Sequence, residues 1–185
     1  MHNEESGIDE FFARLTPILS ALGSYEVICV NDGSTDSTLQ KLKEKRAGNP
    51  NIKIISFSRN FRKEAALTAG LDYAKGDCVV PIDADMQDPP ELIPELVAKW
   101  KEGYKVVLAT RKTRDESWLK RKSASAFYSV ISKLSTVKIP KNTGDFRLMD
   151  KSVVEAIKRL PERTRFMKGL FAWAGFKTAT IYYDR

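Results

Sequence analysis

The sequence predicts an α/β fold with a mostly parallel central sheet and helices on both faces. Three observations carry that expectation. Amphipathic helical periods alternate with short β-branched runs from Ile8 to Arg111. Helical stretches stop at glycine, at Gly23, Lys75-Gly76 and Gly103. The strand-like runs end in Asn, Asp, Ser or cationic residues, and right-handed crossovers place all such ends on one edge of a parallel sheet.

In order, Ile8, Phe11, Phe12, Leu15, Ile18, Leu19 and Leu22 follow the i, i+3/i+4 spacing of a helix. Glu26 to Val30 reads as a strand, and Asn31-Asp32-Gly33-Ser34-Thr35-Asp36 leads from it into a helix through about Ala47. Ile52 to Phe57 is the next strand, followed by Arg59, Arg62 and Lys63 and a helix from Lys63 to Ala74. Cys78 to Ile82 is an apolar strand, and Pro89-Pro90 opens a helix from about Pro90 to Glu102. Lys105 to Ala109 is a fourth strand, ending in Thr110-Arg111. Asn142 to Met149 is a polar turn feeding a short strand on which Asp145 and Arg147 share a face. Helices over about Lys151 to Arg159 and Arg165 to Ala174 precede a last strand, Lys177 to Tyr183.

With 185 residues, 42% hydrophobic, the chain has the length of one soluble globular domain, and no run is apolar enough to span a membrane. Cys29 and Cys78 fall inside strand-like runs, which points to buried free thiols in a reducing compartment rather than a disulfide framework. The net charge of +7 asks for an anionic partner: nucleic acid, a phosphorylated substrate or a membrane surface.

The chemistry concentrates at the strand ends. Asp83 and Asp85 follow a buried run, where carboxylates are costly unless a cation compensates them. A hard divalent ion such as Mg²⁺ or Mn²⁺ fits, and Gln87 offers a third oxygen. An isolated Asp-x-Asp is also found as a solvated turn or an N-cap, so its neighbours decide. Asp32 sits before the cap, where a carboxylate can accept hydrogen bonds from a base or ribose. The cations from Arg59 to Lys63 face the carboxylates as a diphosphate clamp would, or are exposed loop charges. Trp118 to Leu134 interleaves apolar residues with Lys120, Arg121, Lys122 and Lys133, which suits an anionic membrane surface, a nucleic acid, or a helix with a solvated basic face.

Asn31-Asp32-Gly33-Ser34, then Asp83-Ala84-Asp85-Met86-Gln87-Asp88-Pro89-Pro90, then Gly144-Asp145-Phe146-Arg147-Leu148 together resemble the family 2 glycosyltransferases of the GT-A fold. The order is closest to the polyprenyl-phosphate branch, the dolichol-phosphate mannose synthases and bactoprenol glucosyltransferases. The resemblance implies that Asn3, Glu5, Asp32, Lys63, Asp83, Ala84 and Asp85 bind the nucleotide-sugar, and that Asp83, Asp85 and Gln87 hold the metal. It implies Asp85, Asp145 and Arg147 as the catalytic group and Arg111, Arg121 and Arg147 beside the acceptor phosphate. The donor would be UDP-glucose or GDP-mannose, and the acceptor a polyprenyl phosphate at the cytoplasmic face of a bacterial inner membrane. Residues 1–185 would be one catalytic domain cut from a longer protein, lacking its first strand, since Met1-His2-Asn3-Glu4-Glu5 matches the end of that strand, and lacking membrane helices beyond Arg185. Arg62 departs from the family pattern, where a small residue commonly precedes Lys63-Glu64.

The leading expectation is therefore a metal-dependent, inverting hexosyltransferase acting on a lipid phosphate, with glucose favoured. A family 2 transferase with a soluble saccharide or protein acceptor is the alternative. Nucleic acid is set aside as a partner, because ligand-edge carboxylates repel phosphate without a metal. A homo-oligomer is left open.

Overall fold

The computed structural model describes residues 1–112, 143–160 and 175–184. The expected helix within 112–140, Arg121, and the helix over about 165–174 lie outside the described residues, apart from Lys112.

The elements run α1 (Ile8–Leu22), β1 (Val27–Asn31), α2 (Thr38–Gly48), β2 (Ile52–Ser56), α3 (Lys63–Tyr73), β3 (Cys78–Val79), a 3₁₀ turn (Pro90–Leu92), α4 (Ile93–Lys101), β4 (Val106–Arg111), β5 (Thr143–Asp150), α5 (Lys151–Lys158) and β6 (Thr178–Tyr183). β1 and β2 pair in parallel, Val27 opposite Ile52. The other four strands lie in the order β3-β5-β4-β6.

That second sheet is mixed. β4 and β6 are parallel, but β5 is antiparallel to both β3 and β4. A mostly parallel sheet was expected; here β5 stands antiparallel between β3 and β4. Antiparallel pairing needs only a reversal of direction, whereas parallel pairing needs a crossover. The strand expected over Cys78 to Ile82 also stops early, at Val79. Pro81 has no N–H to give a ladder, so the chain runs on to Asp83 outside the sheet.

Helices cover both faces, as expected. On one face Phe11, Phe12 and Leu15 of α1 and Ile93 and Leu96 of α4 pack on Val107, Ala109, Phe146, Leu148 and Ile181. On the other, Leu71 of α3 and Val153, Val154 and Ile157 of α5 pack on Val106, Leu108 and Met149. The period of two along β5 sorts its residues accordingly: Phe146 and Leu148 join the first core, Met149 the second. Fully burying one side chain the size of Phe11 or Leu148 contributes about 1.5–3 kcal/mol, so this sorting sets the register of β5. It also sends Asp145 and Arg147 toward the face of α3.

Candidate active site

The turn after β1 is built from side chains that accept backbone donors. Asn31 Oδ1 accepts Ser34 N–H at 3.2 Å, and its amide donates to Ser56 Oγ at 2.9 Å. Asp36 Oδ1 accepts Thr38 N–H at 3.0 Å. Met1 lies beside this turn, its ammonium donating to the Val30 carbonyl and its own carbonyl accepting Asp32 N–H at 2.8 Å. Asn3 and Glu5, expected on the nucleotide, spend side-chain oxygens here: Asn3 Oδ1 accepts Thr35 N–H at 2.9 Å and Glu5 Oε2 accepts Ser37 N–H at 2.8 Å.

Asp32 is buried at the mouth of this turn, and one of its oxygens, Oδ1, accepts Phe61 N–H at 2.6 Å. The 58–62 loop therefore closes over the β1 end. Gly33 permits it: its φ is +63°, and a Cβ there would stand 2.3 Å from the Arg59 carbonyl carbon. Arg59 lies over the Phe61 ring at 4.1 Å. Arg62 has φ +75° as the chain turns into α3, the position where a small residue was the family expectation.

Lys63, the first residue of α3, joins two motifs that are remote in sequence. Its ammonium lies 2.5 Å from Asp83 Oδ2 and 2.8 Å from Asp145 Oδ2. Burial opposes its charge, but the hydrogen bonds to Asp145 and Asp83 prevail and raise its pKa above the ordinary lysine value. Beside Asp145, Arg147 is 3% exposed and directs Nε to the Asp145 carbonyl at 3.4 Å. Burial pushes its guanidinium down to about 10, with Asp145 acting the other way, so it stays cationic at neutral pH.

Asp85 and Gln87 are exposed at the tip of the loop, around Met86 at φ +61°; Ala84 is buried beneath them. Asp85 Oδ1 accepts Gln87 N–H at 3.1 Å. The hard oxygens of Asp83, Asp85 and Gln87 suit Mg²⁺ or Mn²⁺, and Lys63 already places one cation against Asp83. Among the described residues no three carboxylates, imidazoles or thiols cluster as a closed metal cage. The donor set fits the Mg²⁺ pattern of one or two protein carboxylates completed by substrate phosphates and water.

Arg111 was expected at an acceptor phosphate. It faces the loop: Nη2 donates to the Gln87 carbonyl at 2.8 Å and to Asp88 Oδ1 at 3.2 Å, and Nε to the Tyr183 hydroxyl at 3.0 Å. Asp88 and Tyr183 were absent from the sequence-derived site. Asp88 carries a signal, being the third acid of the Asp83–Asp88 run; Tyr183 carries none beyond its place at a strand's carboxyl end.

A parallel β1-β2 pair, a mixed sheet and helices on both faces define an α/β domain with carboxylates gathered at its strand ends. The chain belongs to glycosyl transferase family 2, whose model matches residues 1–158. It is 58% identical to an uncharacterised glycosyltransferase of Synechocystis sp., with all of this chain and 59% of that protein covered. It is 48% identical to a bactoprenol glucosyl transferase of Shigella phage SfV, covering 99% of this chain and 60% of the phage protein. The chain thus spans about three-fifths of the curated relatives it matches. The fold is that of GT-A enzymes. A mannosyltransferase of Pyrobaculum calidifontis, solved with GDP-Man and Mn²⁺, superposes with a TM-score of 0.67 at 20% identity, over all of this chain and 54% of that one. TarS of S. aureus superposes at 0.62 with 18% identity, over all of this chain and 58% of that one.

Proposed function

We propose that this site transfers a hexose, glucose in the first instance, from a nucleoside diphosphate to a polyprenyl phosphate with inversion at the anomeric carbon. One observation carries the reading: Lys63 brings the donor-side Asp83 and the strand-borne Asp145 to a single cation. The kinship with bactoprenol glucosyl transferases supplies the sugar and the lipid.

In this reading Asp32 takes the base, and its Oδ2 is the oxygen left for a base N–H once Phe61 has taken Oδ1. Asp83, Asp85 and Gln87 would hold Mg²⁺ or Mn²⁺, which when bound neutralises charge on the departing diphosphate. The acceptor phosphate oxygen attacks the anomeric carbon from the face opposite the leaving group. A new C–O–P link forms as the sugar–diphosphate bond breaks. A phosphate monoester has a second pKa of about 6, so it arrives ionised and needs no strong base. Its difficulty is repulsion by the donor, on the order of 4 kcal/mol per pair of unit charges 4 Å apart at an effective dielectric of about 20. Lys63 and Arg147 offset that repulsion, with Arg121 assigned to the same task. Asp145 orients Lys63 and Arg147 and is not required to strip a proton. Arg111 reaches the acceptor only by leaving its loop contacts. The whole protein would work at the cytoplasmic face of a bacterial inner membrane; among the described residues no helix is long and apolar enough to cross one.

Calorimetric titration with UDP-glucose and GDP-mannose, each with Mn²⁺ and with EDTA, tests the donor half. Metal-dependent binding of UDP-glucose, abolished in Asp85→Ala, is the expected result; binding indifferent to EDTA overturns metal dependence. Transfer of labelled glucose to undecaprenyl phosphate tests the other half, and transfer to a soluble saccharide in its place would establish the alternative acceptor class.

A further inference from the structure

Loop 80–89 carries Asp83, Asp85 and Gln87 without a ladder to hold it, since β3 ends at Val79 and the next regular turn starts at Pro90. Beyond Asp85 its polar tie to the sheet is a ring of three side chains. The Tyr183 hydroxyl, at the end of β6, donates to Asp88 Oδ1 at 3.2 Å and accepts Arg111 Nε at 3.0 Å. Arg111, at the end of β4, closes the ring through Nη2 to Asp88 Oδ1, and the same nitrogen holds the Gln87 carbonyl at 2.8 Å. Asp88 and Tyr183 are 8% and 7% exposed. A carboxylate so placed is costly without partners, and here it has a guanidinium and a phenol.

The geometry points to Asp88, Arg111 and Tyr183 as positioning residues that fix Asp85 and Gln87 for the cation and diphosphate; this rests on the metal-dependent reading above. Arg111 holds the backbone of Gln87 itself, and the Gln87 N–H in turn holds Asp85 Oδ1. Orientation thus passes from two strand ends to both oxygen donors. The tyrosine hydroxyl is used twice, as donor and acceptor, so phenylalanine opens the ring while filling the same space. Partners behind a metal ligand typically change metal affinity about 10–100-fold when removed.

The test is Mn²⁺ binding by the full chain in the presence of UDP, read from the loss of the free-ion paramagnetic resonance signal, with thermal unfolding recorded alongside. Tyr183→Phe and Asp88→Asn are expected to weaken Mn²⁺ about tenfold or more while unfolding cooperatively above the assay temperature. Their double variant is expected to be no weaker than the weaker single one, because both break one ring. Tyr182→Phe, on an exposed neighbour, leaves binding unchanged. Arg111→Lys keeps the charge but loses the fork, and must show the same weakening; it decides the matter should either ring variant fail to fold. Parent-like Mn²⁺ affinity in the folded ring variants, or in Arg111→Lys, overturns the positioning role. A parent chain that binds no Mn²⁺ with UDP overturns the metal reading, and the positioning role falls with it.

Discussion

Around the turn Ser34–Thr38, four backbone N–H groups end on side-chain oxygens of Asn31, Asn3, Glu5 and Asp36. Around loop 80–89 the ties are charged side chains, Lys63 on Asp83 and Arg111 on Asp88. The two regions share one ligand edge but are held by different physics. In the first region every donor is a backbone N–H; Asn31 and Asn3 accept as neutral amides, at about 0.5–1.5 kcal/mol each, and Glu5 and Asp36 accept as carboxylates. In the second, the half-exposed Lys63–Asp83 pair contributes about 0–1 kcal/mol and is screened, whereas Asp88 is buried against Arg111 and screened less. In the proposed reading the first region is a preformed cradle for a base, and the second holds charges that would change partners when a diphosphate and a cation arrive.

Asp85→Ala sharpens that contrast most. It removes an exposed carboxylate without disturbing the cradle, so the expected result is a loss of about 10²–10³-fold in kcat with little change in thermal stability. Lys63→Met comes next, leaving Asp83 and Asp145 facing each other without their cation. Steady-state kinetics with both substrates are expected to show a fall of about 10–100-fold in kcat/KM, partly restored in Lys63→Arg. An unchanged kcat/KM would break the claim that this ammonium joins the two half-sites.

Gly33→Ala strikes the cradle. With φ at +63° and a Cβ 2.3 Å from the Arg59 backbone, the 58–62 loop must move, at a cost of about 1–3 kcal/mol seen in chemical denaturation and a matching loss of nucleotide affinity. Glu5→Gln is milder, since the amide oxygen still accepts Ser37 N–H, and about threefold in donor KM is the expected ceiling.

Most elements were legible because their signals are local: the period of α1, the Gly stops, the polar turn after β1. Pairing was not. Nothing in Thr143–Asp150 says that its partners are β3 and β4 in antiparallel register, because partner choice is settled by burial on both faces of the assembled sheet. The same division runs through the site. The carboxylates of 83–88 and Asp32 could be picked out by residue type and spacing. The Lys63–Asp145 contact, the bond of Arg111 to the Gln87 carbonyl, and the Tyr183–Asp88 bond are long-range facts with no periodicity to announce them. Asn3 and Glu5 were assigned to the nucleotide-sugar by the resemblance; the structure adds that their side-chain oxygens accept Thr35 and Ser37 N–H of the turn.

At the opposite end of the sheet, Asp150 is expected to give the smallest effect on function and so a scale for the rest. Its carboxylate caps α5 through Ser152 N–H at 3.0 Å and accepts Trp100 Nε1 at 2.7 Å and Lys105 Nζ at 3.1 Å. Burial would raise its pKa, but the bonds from Ser152, Trp100 and Lys105 outweigh it and hold the carboxyl well below the usual range. A carboxyl depressed in the folded state contributes stability that is fully present above the unfolded value of about 4 and is lost as pH falls through the folded one. Denaturant unfolding of the parent is therefore expected to weaken steadily below about pH 4, and Asp150→Ala, about 0.5–2 kcal/mol less stable at neutral pH, to show a shallower decline. Donor affinity in that variant is expected to match the parent. A cap with three partners against the two of Asp88, yet without effect on ligand binding, would separate what holds the domain together from what aims its carboxylates.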